Sequence, residues 1–430
     1  MRAPRAHMRE VSATAAITGL RMAGAALSFA LATLLSALLG AGDAGRFFAA
    51  ISWATGLTII ALWGFPQLVL HEIPPMLARA RRAAVGPLIR SMMAANAARL
   101  FGLLAVSGLG VLAFRAITGA GGAIMDMLFA AAAAFLLLTI RTATSTAKAL
   151  GLPGRATALE FVLVPGLAIG LCILFLLGGD ADLWGAIVLY IATLAVAAAA
   201  AYAGLQHQLP GCRFARRSDP APWKQRRFVF AQIETGQFLT AMGAIAFLPL
   251  VLSSSDVGVL NLVLRIAGLV SLVTATIPSI FIPRLATLQA EGDRAGFART
   301  LGSLRLIMGM SGVAAYAAIV LLGPGILALA GPDFLAGAQA LPWAAAGFCA
   351  ALVLGPAGTE LTLLGHEKVL RNTILPLGIL GVVASLVAGW LAGPVWASAM
   401  PGAAAFLARA AQLAILRQVR ARTNQGGAAP

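Results

Sequence analysis

Apolar runs of about twenty residues follow one another along nearly the whole chain, parted only by short polar connections. A run of that length crosses a hydrocarbon core of about 30 Å as a helix. Lipid offers no partner to a bare peptide group, so only helices or closed barrels span it. The runs lack the alternation a barrel requires. Twelve spans are read, at 14–39, 47–70, 90–114, 122–146, 156–178, 183–205, 228–252, 256–282, 299–322, 335–363, 370–391 and 394–416. Only 11% of the residues are charged and 60% are hydrophobic, against about 25% charged in soluble domains. The expected class is an all-α polytopic membrane protein. Its first span is too long for the apolar core of a cleaved signal peptide.

The net charge of +16 is not spread as a nucleic-acid binder would spread it. Basic residues fill alternate connections: Arg2, Arg5 and Arg9, then Arg79, Arg81, Arg82 and Arg90, then Lys148 and Arg155. The pattern continues through Arg213, Arg216, Arg217, Lys224, Arg226 and Arg227 to Arg417, Arg420 and Arg422. The intervening loops hold Asp43, Asp126, Asp180, Asp182, Asp256 and Asp333, with only Arg46 and Arg115 nearby. Lys and Arg excess marks the cytoplasmic side, which predicts two cytoplasmic termini and a basic face suited to anionic lipids. Cys172, Cys212 and Cys349 have no metal spacing, and His7, His71, His207 and His366 are scattered. The expectation is no metal, no cofactor and no nucleic acid. No nucleotide-binding glycine motif occurs, so transport energy would come from a proton or sodium gradient, or from the substrate's own gradient.

The longest polar connection, 207–227, divides the spans six and six. The sequence thus predicts an N-terminal lobe (1–206), a basic cytoplasmic linker (207–227) and a C-terminal lobe (228–430). Six spans return the chain to its starting side, so the halves form a parallel repeat. Asp43 and Gly45 of "LLGAGDAGRFFAA" return 213 positions later as Asp256 and Gly258 of "VLSSSDVGVLNLV". Leu150-Gly151 matches Leu364-Gly365 at 214, and Trp184 matches Trp396 at 212. Asp43 and Asp256 are read as N-caps of spans 2 and 8.

"SSSDVGVLNLVLRIAGLV" (Ser253–Val270) and "IPSIFIPRLATLQAEGDRAGFARTL" (Ile277–Leu301) resemble the seventh-to-ninth-span region of polysaccharide-biosynthesis membrane proteins. These are oligosaccharide-lipid (Wzx-type) flippases of the multidrug/oligosaccharidyl-lipid/polysaccharide (MOP) superfamily. "LAGPDFLAGAQALPWAAAG" (Leu329–Gly347), "LTLLGHEKVLRNTI" (Leu361–Ile374) and "ALLGAGDAGRFFAAISW" (Ala37–Trp53) extend the likeness over essentially the whole chain. The resemblance implies two six-helix lobes facing a lumen, alternating access, and an undecaprenyl-diphosphate-linked glycan as cargo, with polysaccharide polymerase machinery as a partner. His71-Glu72 departs from the family, which commonly has a basic residue near that point. Lipid II flippases of the superfamily usually have fourteen spans, so twelve argues against that branch.

Charges inside a membrane are costly, roughly 2.5–3.5 kcal/mol each on insertion scales, and face a lumen or a partner. Thr14, Thr18, Arg21, Ala25 and Ser28 lie at helical steps along one stripe of span 1, with Arg21 roughly 13 Å deep. In span 7, Glu234 and Gln237 share a face with Arg227. Asn261, Arg265, Gly268, Ser271 and Thr274 share a face of span 8. These stripes are expected to line a shared cavity. Arg21 and Arg265 would meet the diphosphate, Thr18, Ser28, Gln237, Asn261 and Ser271 the sugar, and Glu234 the coupling ion or a neighbouring Arg. Arg99, Arg141, Glu160 and Glu360 lie nearer the cytoplasmic ends and are read as interhelical ion pairs or interface anchors. Arg409 is evenly balanced between the two roles. Glu291–Leu306 is read as an interfacial helix before span 9.

Two other functions compete with the flippase. A cation-coupled exporter of toxic compounds would share the architecture but want acidic lumen residues. A membrane glycosyltransferase or polymerase would need a large outer loop, and the outer loops here are only a few residues long. The expectation is a transporter, not an enzyme.

Overall fold

The computed structural model describes residues 3–78, 82–118, 123–178, 182–209, 221–291, 293–363 and 367–426. Helix is the regular structure throughout them, as backbone in lipid requires. In chain order the helices are α1 (Ala3–Leu62), α2 (Phe65–Ala78), α3 (Arg82–Thr118), α4 (Ala123–Ala149), α5 (Pro153–Thr157), α6 (Val164–Gly178), α7 (Leu183–Gln208) and α8 (Ala221–Phe238). There follow α9 (Ala244–Phe247), α10 (Ser254–Gly268), α11 (Val270–Ala290), α12 (Arg294–Ala330), α13 (Leu341–Val353), α14 (Ala357–Leu363), α15 (Glu367–Ala392) and α16 (Pro394–Gly426). π-helical turns join α5 to α6 (Ala158–Leu163) and α8 to α9 (Leu239–Gly243).

Among the described residues, ten helices are long and apolar enough to cross a membrane, or eleven if the bent pair Pro332–Gln339 and Leu341–Val353 forms one span. The stretch Ala16–Leu62 is 47 residues long. At about 1.5 Å per residue it is roughly twice the hydrocarbon thickness. Gly40, at φ 69° and ψ 174°, interrupts its helical backbone. Dividing it there and counting the bent pair once restores the twelve spans of the sequence.

The chain forms two compact units, Met1–Leu39 with Arg46–Thr235, and Gly40–Gly45 with Gly236–Pro430. In the first, α4 packs against α2, α3 and α7. Ala133, Ala134 and Ala197 are fully buried at these contacts, where small side chains let helix backbones approach. Phe47, Phe129 and Tyr190 gather with ring centroids 5.3 to 6.5 Å apart and tie α1, α4 and α7 together. In the second, α16 packs against α13 and α15, and α12 against α11 and α13. Leu109, Val188, Leu321 and Trp390 are among the exposed large apolar side chains. Such an apolar exterior suits lipid and would be a liability in water.

Equivalent points of the repeat carry equivalent contacts. Gly24 packs on Phe161 in the first unit, and Gly236 on Ile374 and Leu375 in the second, at sequence offsets of 212 and 213. The segment Gly40–Gly45 groups with the second unit because Gly45 packs on Ser254 and Gly258 on Ala41.

The caps differ in detail from the sequence reading. Ser253, not Asp256, is the N-cap of α10, with extended backbone (φ −65°, ψ 154°) and an Oγ that accepts from Asp256 N at 3.1 Å. Ser253 Oγ also approaches Asp256 Oδ2 at 2.6 Å, so Asp256 is the third residue of a capping pair. Gly40 stands 213 positions before Ser253, which puts Asp43 at the same third position. The interfacial helix expected at Glu291–Leu306 is not a separate element. Asp293 accepts from Gly296 N at 2.8 Å, and α12 then runs 37 residues without a break.

Candidate functional site

In the first unit, Arg21 is exposed, while Thr18 and Ser28 are partly covered on the same helix. Gly24 lies between them against the π-turn after α5. A Cβ there would stand 2.7 Å from the carbonyl carbon of Phe161, so only glycine allows the approach. No carboxylate among the described residues pairs with Arg21. Glu234, half-buried on α8, has Arg141 of α4 within electrostatic reach, though the two form no direct ion pair.

The start of α8 is fastened to the end of α1. α1 stops because Trp63 (φ 50°) and Gly64 (φ 72°) take left-handed backbone, leaving its last carbonyls without helical partners. Two guanidinium groups supply donors. Arg227, 2% exposed, donates to Leu62 O (3.5 Å), Trp63 O (3.3 Å) and Asn96 Oδ1 (3.1 Å). Arg99 donates to Ala61 O (3.3 Å) and to the same Asn96 oxygen (2.7 Å). Cations at a helix C-terminus also complement its dipole. Beside them Arg226 pairs with Glu72 at 2.7 Å, and His71 stacks on Phe230 at 5.4 Å. The unusual His71-Glu72 pair is therefore engaged with α8. Arg227 is a capping residue here, a role hidden from sequence because its partners lie over 130 positions away. The one local hint was "WGFP", a glycine followed by proline at a helix end.

In the second unit, Asn261 is 3% exposed and Arg265 half-buried on α10, with Arg265 Nε donating to Asn261 Oδ1 at 3.4 Å. Asn261 Nδ2 is buried without a hydrogen-bond partner among the described residues. One turn on, a Cβ at Gly268 would meet nothing within 4 Å, so this face borders open space. Gln237 and Ser271 are exposed. Arg409 lies 3.5 Å from Gln412 Oε1, and Gln412 Nε2 donates to Thr373 at 3.3 Å, a polar cluster joining α15 and α16.

The other membrane carboxylates are committed within their own units. Arg46 holds Asp126 in a two-point contact (2.9 and 3.3 Å), and Lys148 holds Glu160 at 2.6 Å. Arg305 holds Glu360 at 2.7 Å. Glu160 and Glu360 thus sit in the interhelical ion pairs expected of them.

No family model matches the sequence, and neither does any curated protein. Solved structures do match. A multidrug resistance MATE family transporter of the MOP superfamily, in its inward-facing conformation, aligns with a TM-score of 0.69 at 17% identity, covering 96% of this chain and 100% of that one. The lipid II flippase MurJ aligns at 0.60 and 12% identity, covering 90% and 87%. A MOP superfamily transporter from Pyrococcus furiosus, whose reversed binding-pocket polarity suggests a different function, aligns at 0.57 and 14%, covering 94% and 95%.

The fold is that of the MOP-superfamily transporters. Such a fold is all-helical and built of repeated lobes, and this chain is a multi-pass membrane protein of that design. The structural neighbours are transporters and flippases.

Proposed function

We propose that the protein is a Wzx-type member of the MOP superfamily, which moves an undecaprenyl-diphosphate-linked oligosaccharide from the cytoplasmic to the outer leaflet by alternating access. The supporting observation is a surplus of cation. Glu72, Asp126, Glu160 and Glu360 are each bound to a cation of their own unit, whereas Arg21 stands exposed on its polar stripe with no carboxylate among the described residues. Arg265, with Asn261 beside it, offers a second donor set in the second unit. A diphosphate cannot cross hydrocarbon bare, and guanidinium donors replace part of its hydration. Thr18, Ser28, Gln237 and Ser271 supply hydroxyl and amide groups for sugars. The site lies in a bacterial inner membrane with both termini cytoplasmic, beside the machinery that polymerises the glycan.

A second reading is a cation-coupled multidrug exporter, as the MATE neighbour is titled. It is favoured by Glu234, a half-buried carboxylate with no direct ion pair among the described residues. Reconstituted vesicles separate the two. The flippase reading expects translocation of a fluorescent polyprenyl-diphosphate glycan, lost in Arg21→Ala. Export of cationic dyes without glycan movement, abolished by Glu234→Gln, supports the exporter.

A further inference from the structure

A cavity of about 400 Å³ opens in the first unit between the end of α4, α5 with its following π-turn, and the end of α7. Its wall is two-natured. Ala147, Leu159, Ala201 and Gly204 make an apolar side, while Arg155, His207 and Gln208 bring polar groups to the other. The lining comes from three elements of one unit, at the end that also carries Lys148 and Arg90.

The polar groups are not used up by the fold. Lys148 takes Glu160, and Arg90 takes Gln206 Oε1 (3.2 Å) and Leu209 O (3.3 Å) at the end of α7. Arg155 is exposed and has no carboxylate partner among the described residues. Gln208, half-buried, brings part of its side chain to the lining. Thr144 adds nothing, since its hydroxyl donates to Arg141 O in its own helix.

An occupant must therefore bring an anion for Arg155 and His207, a neutral polar group to lie against the Gln208 side chain, and apolar matter for the apolar lining. A free phosphate supplies no apolar matter. A zwitterionic choline lipid carries a cation toward Arg155 and has no head-group hydroxyl. We propose that the cavity binds an anionic phospholipid of the phosphatidylglycerol type, the phosphate on Arg155 and His207, the glycerol hydroxyl on Gln208 and the chains along the alanine wall. Basic pockets between helices at a membrane surface suit such head groups. The lining shares no residue with the Arg21 stripe, and the proposal does not rest on the proposed cargo.

The full-length protein in nanodiscs of equal phosphatidylglycerol and phosphatidylcholine provides the test, with bound lipid read by native mass spectrometry. The wild type should retain phosphatidylglycerol about tenfold over phosphatidylcholine. Arg155→Gln and Gln208→Leu should each remove most of that preference, while Arg371→Gln, a partly covered cation of the second unit, should not. A photoactivatable phosphatidylglycerol should label residues 143–159 and 200–208 in the wild type, a readout independent of whether any variant folds. Equal retention of both lipids, an unchanged preference in Arg155→Gln, an equal loss in Arg371→Gln or labelling elsewhere would each overturn the proposal. So would stoichiometric displacement of the lipid by undecaprenyl diphosphate, which would make the cavity a cargo site.

Discussion

Gly45 and Gly258, 213 residues apart, pack backbone to backbone: a Cβ on the first would lie 2.8 Å from the second's nitrogen, and a Cβ on the second 3.0 Å from the first's. The contact is reciprocal, since each glycine also abuts the carbonyl of the residue four positions before its counterpart, Ser254 or Ala41. Backbone cannot yield as a side chain can. Gly45→Val and Gly258→Val should each destabilise the protein by about 1–3 kcal/mol, the usual range for overpacking. Gly42→Ala, whose Cβ would meet nothing within 4 Å, should be neutral. Thermal unfolding in detergent reads the difference, and equal melting of Gly45→Val and Gly42→Ala would sink it.

Arg227 and its neighbour Arg226 should behave very differently. Arg227→Met strips donors from Leu62 O and Asn96, both buried, and from Trp63 O, which is partly covered. A lost charge-assisted hydrogen bond costs about 1.5–3 kcal/mol. Arg226→Met removes a pair whose cation is 63% exposed, and surface pairs are worth at most about 1 kcal/mol. Urea or thermal melts of the two variants should differ accordingly.

Glu360 is 2% exposed and depends on Arg305, itself 37% exposed. Arg305→Leu takes the guanidinium from a buried carboxylate, a loss of about 3–5 kcal/mol in fully buried pairs and less here because water reaches the arginine. Arg305→Leu with Glu360→Leu should recover much of that loss. A double-mutant cycle on unfolding free energies measures the coupling, and simple additivity would count against a pair of this kind.

For transport, Arg21→Lys should keep part of the glycan flux, because the charge remains and only the two-point guanidinium contact is lost. Arg21→Gln and Arg265→Gln should each cut flux at least about tenfold, the equivalent of about 1.4 kcal/mol. Complementation of a flippase-deficient strain, with membrane levels checked by blotting, is the measurement. Full surface glycan in Arg21→Gln would remove that residue from the site.

Much of this was written in local sequence. Span length and the positions of Asp43 and Asp256 gave the helices, their number and the repeat. Polar steps of three and four placed Arg21, Arg265 and their companions on faces. Cap identity was a near miss: Ser253 and Gly40 start their helices, and the aspartates sit three residues inside. That choice depends on the backbone angle of a single residue, which hydropathy does not register.

What the sequence determined by itself is whatever solvation dictates: apolar runs in lipid become helices, and an equal number in each half makes a repeated design. What only the tertiary structure decided is which charges are spoken for. Arg227 and Arg21 look alike in sequence, yet one caps Leu62 and Trp63 while the other stands exposed. The reason is that hydropathy acts residue by residue. A guanidinium's role is set by the oxygens within about 3 Å of it, and folding brings those from distant parts of the chain.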